Sequence, residues 1–389
     1  MSLADSPNPL ASTDQALCIY RYYSVRLLSF FRFLEGLLGV FSCRSLSARR
    51  PMDTTSFFVD FTVAIPTYNG AERIADVLER LQWQLGTEKI CWEILVVDNN
   101  SSDNTAAVVH QYQAKLPRLR YAFEPRQGAG FARQRAVRLA RGALIGFLDD
   151  DNLPSLTWIN RAYKFAQDHP EAGAIGSRLA GDFETAPPTG FHRVAAFLAL
   201  TERGDGALVY APEQKILPPG AGLVVRRQAW LSVVDESAHL GVRIRNRDVA
   251  EDLEPVIQMQ KAGWQIWYNP AMRLTHKIPR SRLEKAYLVS LMRGIGLSRF
   301  RTRMLTFASW QRPFMVWLYA LNDLRKIGRH LLKHRSKVWT EAIPASEMAL
   351  YFYSFVSPLF FLWEHLHHLG TGTHQQERSS QAVAPDSHV

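Results

Sequence analysis

The chain has 389 residues, a formal net charge of +10, and 47% hydrophobic, 21% charged and 11% aromatic content. That length fits one large domain with appendages, or two domains, and the apolar fraction excludes a disordered or collagen-like protein. Three scattered cysteines, Cys18, Cys43 and Cys91, exclude a disulfide framework and a four-cysteine zinc site and point to a reducing compartment.

Residues 1–60 read as an appendage. Its Tyr20–Cys43 stretch is apolar and aromatic but is broken by Arg21, Arg26, Arg32 and Glu35. An amphipathic surface helix, a poor signal sequence, and an untranslated extension upstream of Met52 all fit that pattern. From Phe61 the texture changes. Phe61–Ile65, Glu93–Val97 and Leu144–Leu148 are short apolar runs predicted as buried strands. Between them, Glu72–Leu85, Ser102–Leu116 and Arg133–Arg141 have helical spacing, the last stopping at Gly142. Alternating strands and helices of this kind predict βαβ units and a mostly parallel sheet, whose strands are covered on both faces.

Further along, a helix is predicted over Ser155–Gln167, strands near Gly173–Gly176 and Leu223–Val225, and a tight loop at Pro218–Gly222. A helix over Asp252–Lys261 closes at Gly263, and a strand over Gln265–Tyr268 returns to Asn269-Pro270. Met348–Trp363 is an apolar stretch of 16 residues containing Pro358. That is too short for a span and suits a shallow or re-entrant membrane segment. The last 20 residues read as a disordered tail.

In an open parallel sheet, ligands bind beyond the carboxyl ends of the strands. Here the first strand leads into Pro66-Thr67-Tyr68-Asn69-Gly70, the second into Asp98-Asn99-Asn100-Ser101-Ser102-Asp103, and the third into Asp149-Asp150-Asp151-Asn152. Alone, Asp98 could be a helix cap and Asn-Gly a turn, but three polar clusters at one sheet edge indicate a site. Three consecutive carboxylates on a turn repel one another without a cation. They suit Mg²⁺ or Mn²⁺, which keeps positions open for phosphate oxygens; the alternative is a Ca²⁺ or purely structural turn.

The order PTYNG, VDNNSSD, QGAGFARQRA and LIGFLDDDN resembles the family 2 glycosyltransferases of the GT-A fold, over about Phe61 to Arg282. More narrowly, ILPPGAGLVVRRQAW, AEDLEPVIQMQKAGWQIWYNP and RGIGLSR resemble the cyanobacterial glycosyltransferases of hormogonium polysaccharide biosynthesis, to about Arg329. The resemblance implies an α/β GT-A domain over 61–282, with a nucleotide-binding half at 61–152 and an acceptor half at 153–282. It implies a metal-dependent, inverting transfer of a sugar from a nucleotide-diphosphate donor to a glycan or lipid-linked acceptor. UDP is favoured over GDP or dTDP by the same likeness. Tyr68 matches the aromatic lying against the base, and Asp98 the acceptor of a uracil-type ring N–H. Pro66, Thr67, Asn69, Asn100, Gly128 and Asp150 join them as candidate nucleotide contacts. Arg133 matches the arginine of the family's Ala-Arg-Asn run, although Gln134 replaces the Asn. Asp149 and Asp151 match the Asp-x-Asp pair, with His276 as a third metal ligand or a structural histidine. Glu251-Asp252 matches the catalytic acid pair, Asp252 being the base. Asp252 also lies at a predicted helix start, where the dipole keeps a carboxylate ionised, and a plain helix-end charge is the alternative. Gly220, Ala221 and Gly222 offer bare backbone to an acceptor or form a simple turn.

Between Arg273 and Thr340, 16 Lys and Arg face two acids, so the rest of the chain is net acidic. Phe300, Phe307, Trp310, Phe314, Trp317 and Tyr319 interleave with these cations. This is the composition of a membrane-interface segment, so 283–368 is read as a helical region resting on an anionic membrane, with 369–389 as the tail. The enzyme is then expected in the cytoplasm, peripheral on the inner face of the plasma membrane. Single-stranded nucleic acid and a plain solvated helix face fit the same residues, and no specific nucleic acid is expected. Two other readings keep the topology: a nicotinamide-dependent oxidoreductase and a non-catalytic nucleotide-sugar or nucleic-acid binder. Gly128-Ala129-Gly130 lies too far from the first strand for the former, and every acid that transfer needs is present against the latter.

Overall fold

The computed structural model describes residues 59–212, 217–235, 240–244 and 247–381, with the backbone alone for 247 and 365–381. All but the last two positions of the expected N-terminal appendage lie outside the described residues. Two compact units divide the chain, the first ending at Arg280 and the second beginning at Ser281.

The first unit opens with β1 (Val59–Thr67), α1 (Ile74–Gln82), β2 (Trp92–Asp98), α2 (Thr105–Gln113), β3 (Leu119–Phe123), α3 (Ala129–Leu139) and β4 (Gly142–Phe147). It continues through β5 (Asn152–Pro154), α4 (Trp158–Asp168), β6 (Ala172–Phe183), β7 (Leu208–Val209) and β8 (Val224–Arg226). It closes with α5 (Arg227–Leu231), β9 (Val242–Ile244), β10 (Arg247–Val249), α6 (Leu253–Lys261) and β11 (Gln265–Ile278). Among the described residues, nine strands form one sheet in the order β3-β2-β1-β4-β8-β6-β11-β5, with β7 also on β11. β3, β2, β1 and β4 are parallel to one another, and so are β6 and β11. β8 joins the two groups by pairing antiparallel with β4 and β6.

The unbroken apolar runs have the cause expected for them. Phe61, Val63 and Ile65 enter one core layer with Ile74, Val77, Leu78 and Leu81 of α1. Ala64 enters the other with Leu95, Val97 and Ala132, Ala136 and Val137 of α3. Successive strand residues point to opposite faces, and both faces are covered. Each fully buried Leu, Ile, Val or Phe contributes on the order of 1.5–3 kcal/mol.

Several elements differ from the sequence reading. β3 was not legible as a strand: at the sheet edge only Leu119 is buried and Phe123 is exposed. α3 starts at Ala129, four residues before the apolar periodicity does, because Gly128, with φ 148°, turns the chain into it. β11 does not stop at Asn269-Pro270 but runs on to Ile278, absorbing the proline at a register shift between Asn269 and Arg273. A bulge is where a strand tolerates proline.

The second unit is helical: α7 (Lys285–Leu305), α8 (Arg312–His334) and α9 (Ala342–Gln381) are its long elements. α7 and α9 approach closely at Gly296, where a Cβ would lie 2.8 Å from that of Tyr353 and 3.0 Å from the Leu350 carbonyl. α9 runs straight through Pro358. Proline cannot donate to the carbonyl four residues back, and the Ser357 hydroxyl donates to that Ser354 oxygen instead, at 2.7 Å. Among the described residues, the stretch apolar and long enough to cross a membrane, by length and composition, is therefore Ala342–Glu364, of 23 residues. The helix also continues to Gln381, through much of the expected tail, since each added residue of a nucleated helix gains a hydrogen bond.

Arg303 of α7 and Asp323 of α8 form a two-pronged ion pair at 2.6 and 3.0 Å, with Asp323 fully buried and Arg303 stacked on Tyr319. Removing one partner strands a buried charge. Asp323→Ala is expected to cost about 3–5 kcal/mol, seen as an earlier urea midpoint of the helical transition in the full chain. A midpoint shift worth under about 1 kcal/mol would mean the pair behaves like a surface bridge.

Candidate active site

The turns that follow β1 and β2 are tied to each other. Asn69 and Asn100 both adopt left-handed backbone, with φ of 48° and 62°, a conformation that Asn tolerates better than most residues. The Asn69 amide donates to Ser101 Oγ at 3.0 Å, and the Ser102 amide donates back to Asn69 Oδ1 at 2.8 Å. Asn99 reaches the segment before α3, donating to the Arg126 carbonyl and accepting from the Gly128 amide, both at 2.7 Å. Tyr68 and Asn100 are left exposed on this rim. Asp98 is 2% exposed and accepts from the Ser101 amide at 2.9 Å and the Tyr121 hydroxyl at 2.8 Å. Burial, then the bond to Asp98, pushes the Tyr121 phenol up to about 12, so it stays a donor.

The three aspartates after β4 have three different environments. Asp150 is buried and bound by Arg73 through two bonds of 2.9 and 3.0 Å, while Thr67 donates to it at 2.7 Å. It locks the β1 turn to the β4 turn, and Gly70 lies so close that a Cβ would collide with the Thr67 hydroxyl and the Asp150 carboxylate. Asp149 has a side chain 40% open to solvent. It pairs with Arg133 at 3.2 Å. Asp151 is buried and lies 3.6 Å from Nε2 of His276.

The sheet itself makes that last contact. β5 pairs antiparallel with β11 so that His276 stands opposite Asn152, which brings together residues far apart in sequence. His276 Nδ1 is 3.0 Å from the Leu198 carbonyl. A carbonyl only accepts, so in the neutral ring Nδ1 carries the hydrogen and the lone pair at Nε2 is on the side of Asp151. Two electron-pair donors meeting beside the more open Asp149 are a donor set suited to a divalent cation. A backbone carbonyl orienting the histidine is the usual support for a ligating imidazole.

Arg133 is the centre of the remaining cluster. It is 6% exposed, pairs with Asp149, lies 3.8 Å from Glu251, and stacks over Phe147. Its guanidinium is held charged by Asp149, Glu251 and Asp252 against the opposing cost of burial, which is the largest single influence on it. Glu251 and Asp252 follow Ala250, which has a left-handed φ of 63°, a strained conformation for a residue with a Cβ. Asp252 does not cap its own helix; its Oδ2 accepts from the Gly220 amide at 2.6 Å. Glu251 is pushed up to about 8, mainly by burial, then by the charge of Asp252, with Arg133 opposing.

The space left by Gly220, Ala221 and Gly222 is filled by the protein. A Cβ at Gly220 would meet Arg133 and Asp252, and one at Gly222 would meet Leu274 and Ser177. These glycines let the loop lie against the acidic cluster. Arg73, Asn99, Tyr121 and Asn152, which donates to Asp151 at 2.6 Å, were not found from sequence. Asn99 and Asn152 stood within the polar clusters at the strand ends, which was the only signal, and Arg73 and Tyr121 offered none.

Residues 62–220 match the profile of the glycosyl transferase family 2. The chain carries a family 2 glycosyltransferase domain. Over 111 residues it is 36% identical to the glycosyltransferase AglE of Haloferax volcanii, a match covering 28% of this chain and 36% of the relative. Over 248 residues it is 28% identical to an N-acetylglucosaminyltransferase of Mesorhizobium japonicum, covering 63% and 57%. The matches thus span about a third and somewhat over half of those relatives' lengths. The mannosyltransferase PcManGT from Pyrobaculum calidifontis, solved with GDP-Man and Mn²⁺, superposes with a TM-score of 0.54 at 18% identity, over 91% of this chain and 99% of that one. The fold is GT-A.

The raised Glu251 gives the glycosyltransferase domain a measurable pH signature. From its ordinary 4.5 up to about 8, the folded carboxyl keeps a proton that the unfolded one has released, so this group's contribution to stability falls as pH rises. Glu251→Gln is expected to flatten that decline, whose slope is at most about 1.4 kcal/mol per pH unit. Urea denaturation across the window in metal-free buffer measures it, and identical slopes in both proteins would show that Glu251 ionises normally.

Proposed function

We propose that the chain transfers a sugar from a nucleotide-diphosphate donor, a UDP-sugar by family likeness, to a glycan or lipid-linked acceptor in polysaccharide biosynthesis. The observation that supports this best is the convergence of Asp149, Arg133, Glu251 and Asp252 at the carboxyl end of the parallel strands. In this reading 61–282 is the catalytic domain and 283–368 the membrane-associating region. Tyr68 and Asn100 contact the nucleoside from the rim, within a frame of Pro66, Thr67, Asn69 and Gly128. Asp98 accepts a ring N–H with a lone pair beyond those used by Ser101 and Tyr121, while Asp150 acts by fixing the turn.

Asp149, Asp151 and His276 would hold Mn²⁺, or the two carboxylates alone Mg²⁺, and the ion when bound neutralises charge growing on the diphosphate. Asp252 takes the acceptor proton. The Gly220 amide fixes its carboxylate, and the neighbouring Glu251, protonated below about 8, spares Asp252 a like charge at neutral pH. The acceptor oxygen, losing its proton to this one base, attacks the anomeric carbon opposite the departing diphosphate, which gives inversion and needs no second acid. The Gly220 amide holds the base, and the 220–222 loop borders the acceptor side.

Two substitutions separate these roles. Asp252→Asn is expected to lower turnover by roughly 10²–10⁴-fold with donor affinity nearly unchanged, measured as nucleotide-diphosphate release from a panel of nucleotide sugars. Asp151→Asn is expected to abolish release and to weaken nucleotide binding in the presence of Mn²⁺. Full activity in chelator, or near-normal turnover of Asp252→Asn, contradicts the assignment concerned.

The cytoplasmic, membrane-peripheral location rests on α8. Trp310 just before the helix, then Phe314, Trp317, Leu321 and Leu324, are all more than half exposed, at spacings of four and three residues that place them on one helical stripe. Phe300, Phe307 and Tyr319, by contrast, pack within the helical unit. An exposed aromatic stripe in a basic segment suits an anionic bilayer surface, to which each engaged cation adds on the order of 1 kcal/mol. Liposome flotation is expected to show binding to anionic vesicles, weakened by salt and by a Phe314→Ala/Trp317→Ala double substitution. Absence of binding to anionic vesicles at physiological salt contradicts it.

A further inference from the structure

The helical unit gathers three ligand-type side chains that glycosyl transfer does not use. His330 and His334 are four residues apart on α8 and therefore share a face. Glu347 comes from the second turn of α9. One potential ligand atom from each of the three lies within 4.8 Å of the other two. The two imidazole centroids are 4.5 Å apart.

His330 is oriented before any ion arrives. It is 6% exposed, its Nε2 lies 2.8 Å from the Pro344 carbonyl, and Tyr351 packs edge-on against it at 5.5 Å. The carbonyl can only accept, so Nε2 bears the hydrogen and the lone pair is at Nδ1. An imidazole whose second nitrogen is tied to a backbone carbonyl is the common form of a metal-ligating histidine. Oε2 of Glu347 is likewise shielded from solvent. Two imidazole nitrogens and one carboxylate oxygen are a zinc donor set, whereas Mg²⁺ and Ca²⁺ prefer oxygen alone.

We propose that His330, His334 and Glu347 form a Zn²⁺ site that staples α8 to α9, with a fourth position for water. Zinc–ligand distances of about 2.0–2.2 Å require the three atoms to draw in by roughly 1 Å, within reach of side-chain rotation. The site is separate from the Asp149–Asp151–His276 group in chemistry and in residues, so it stands or falls independently of the transfer reaction. Its effect is to fix the start of the helix that carries the apolar Ala342–Glu364 stretch.

The test uses the full-length protein, stripped with chelator and titrated with Zn²⁺. The expected result is one tightly held zinc per chain after dialysis, a raised melting temperature of the helical transition, and a tetrahedral visible spectrum when Co²⁺ replaces zinc. His334→Ala and Glu347→Gln should each weaken binding by at least about 100-fold, the upper range for loss of a mere supporting partner. Asp151→Asn should leave this zinc in place. Metal-free melting of the two ligand variants checks that they fold, and Glu347→Gln keeps the carboxylate's shape if His334→Ala does not. The proposal is overturned if wild type retains no zinc, or if the ligand variants bind it as wild type does. It is also overturned if Glu347→Gln loses the same stability with and without Zn²⁺, since Glu347 would then be only an ion-pair partner of neighbouring cations.

Discussion

A guanidinium almost without access to water governs the sheet edge. Arg133 is supplied by α3, yet it faces acids from two other places: Asp149 after β4, and the Glu251-Asp252 turn before α6. Burying a charge is costly unless it is paired, and crowding three acids is costly unless a cation stands among them or one keeps its proton. Each requirement meets the other here. The left-handed Ala250 and the close fit of Gly220 against Arg133 are backbone consequences of that arrangement.

The same division of charge sets the chemistry apart by position. Asp150 is committed to Arg73 and Thr67, Asp151 faces His276, and Asp149 alone keeps a substantial opening to solvent. Asp252 and Glu251, adjacent in sequence, are held differently, one by a backbone amide and the other by burial. Identical side chains in one short run thereby gain separate roles, which composition alone cannot assign.

What could be read in the sequence follows from physical range. β1, β2 and β4 were legible because covering both faces demands unbroken apolar residues, and the strand-end clusters were legible because each lies within a few positions of its strand. β3 was not, since an edge strand with one buried residue carries no such pattern. The Asp151–His276 meeting follows from the β5–β11 register, and Arg73–Asp150 from a salt bridge across two turns; neither leaves a local trace. In the helical unit, the basic stretch concealed Arg303–Asp323, an internal pair among cations otherwise read as a surface.

The claim that Arg133 and Glu251 depend on each other is tested most directly by a double-mutant cycle in urea at about pH 9, above the value of about 8 at which Glu251 gains its charge. Arg133→Met removes the charge and keeps the bulk, and Glu251→Gln removes the acid. The account predicts that the double variant departs from the sum of the single ones by about 0.5–3 kcal/mol, as groups in one ionic network do. Additivity within about 0.3–0.5 kcal/mol, the behaviour of independent sites, would contradict it.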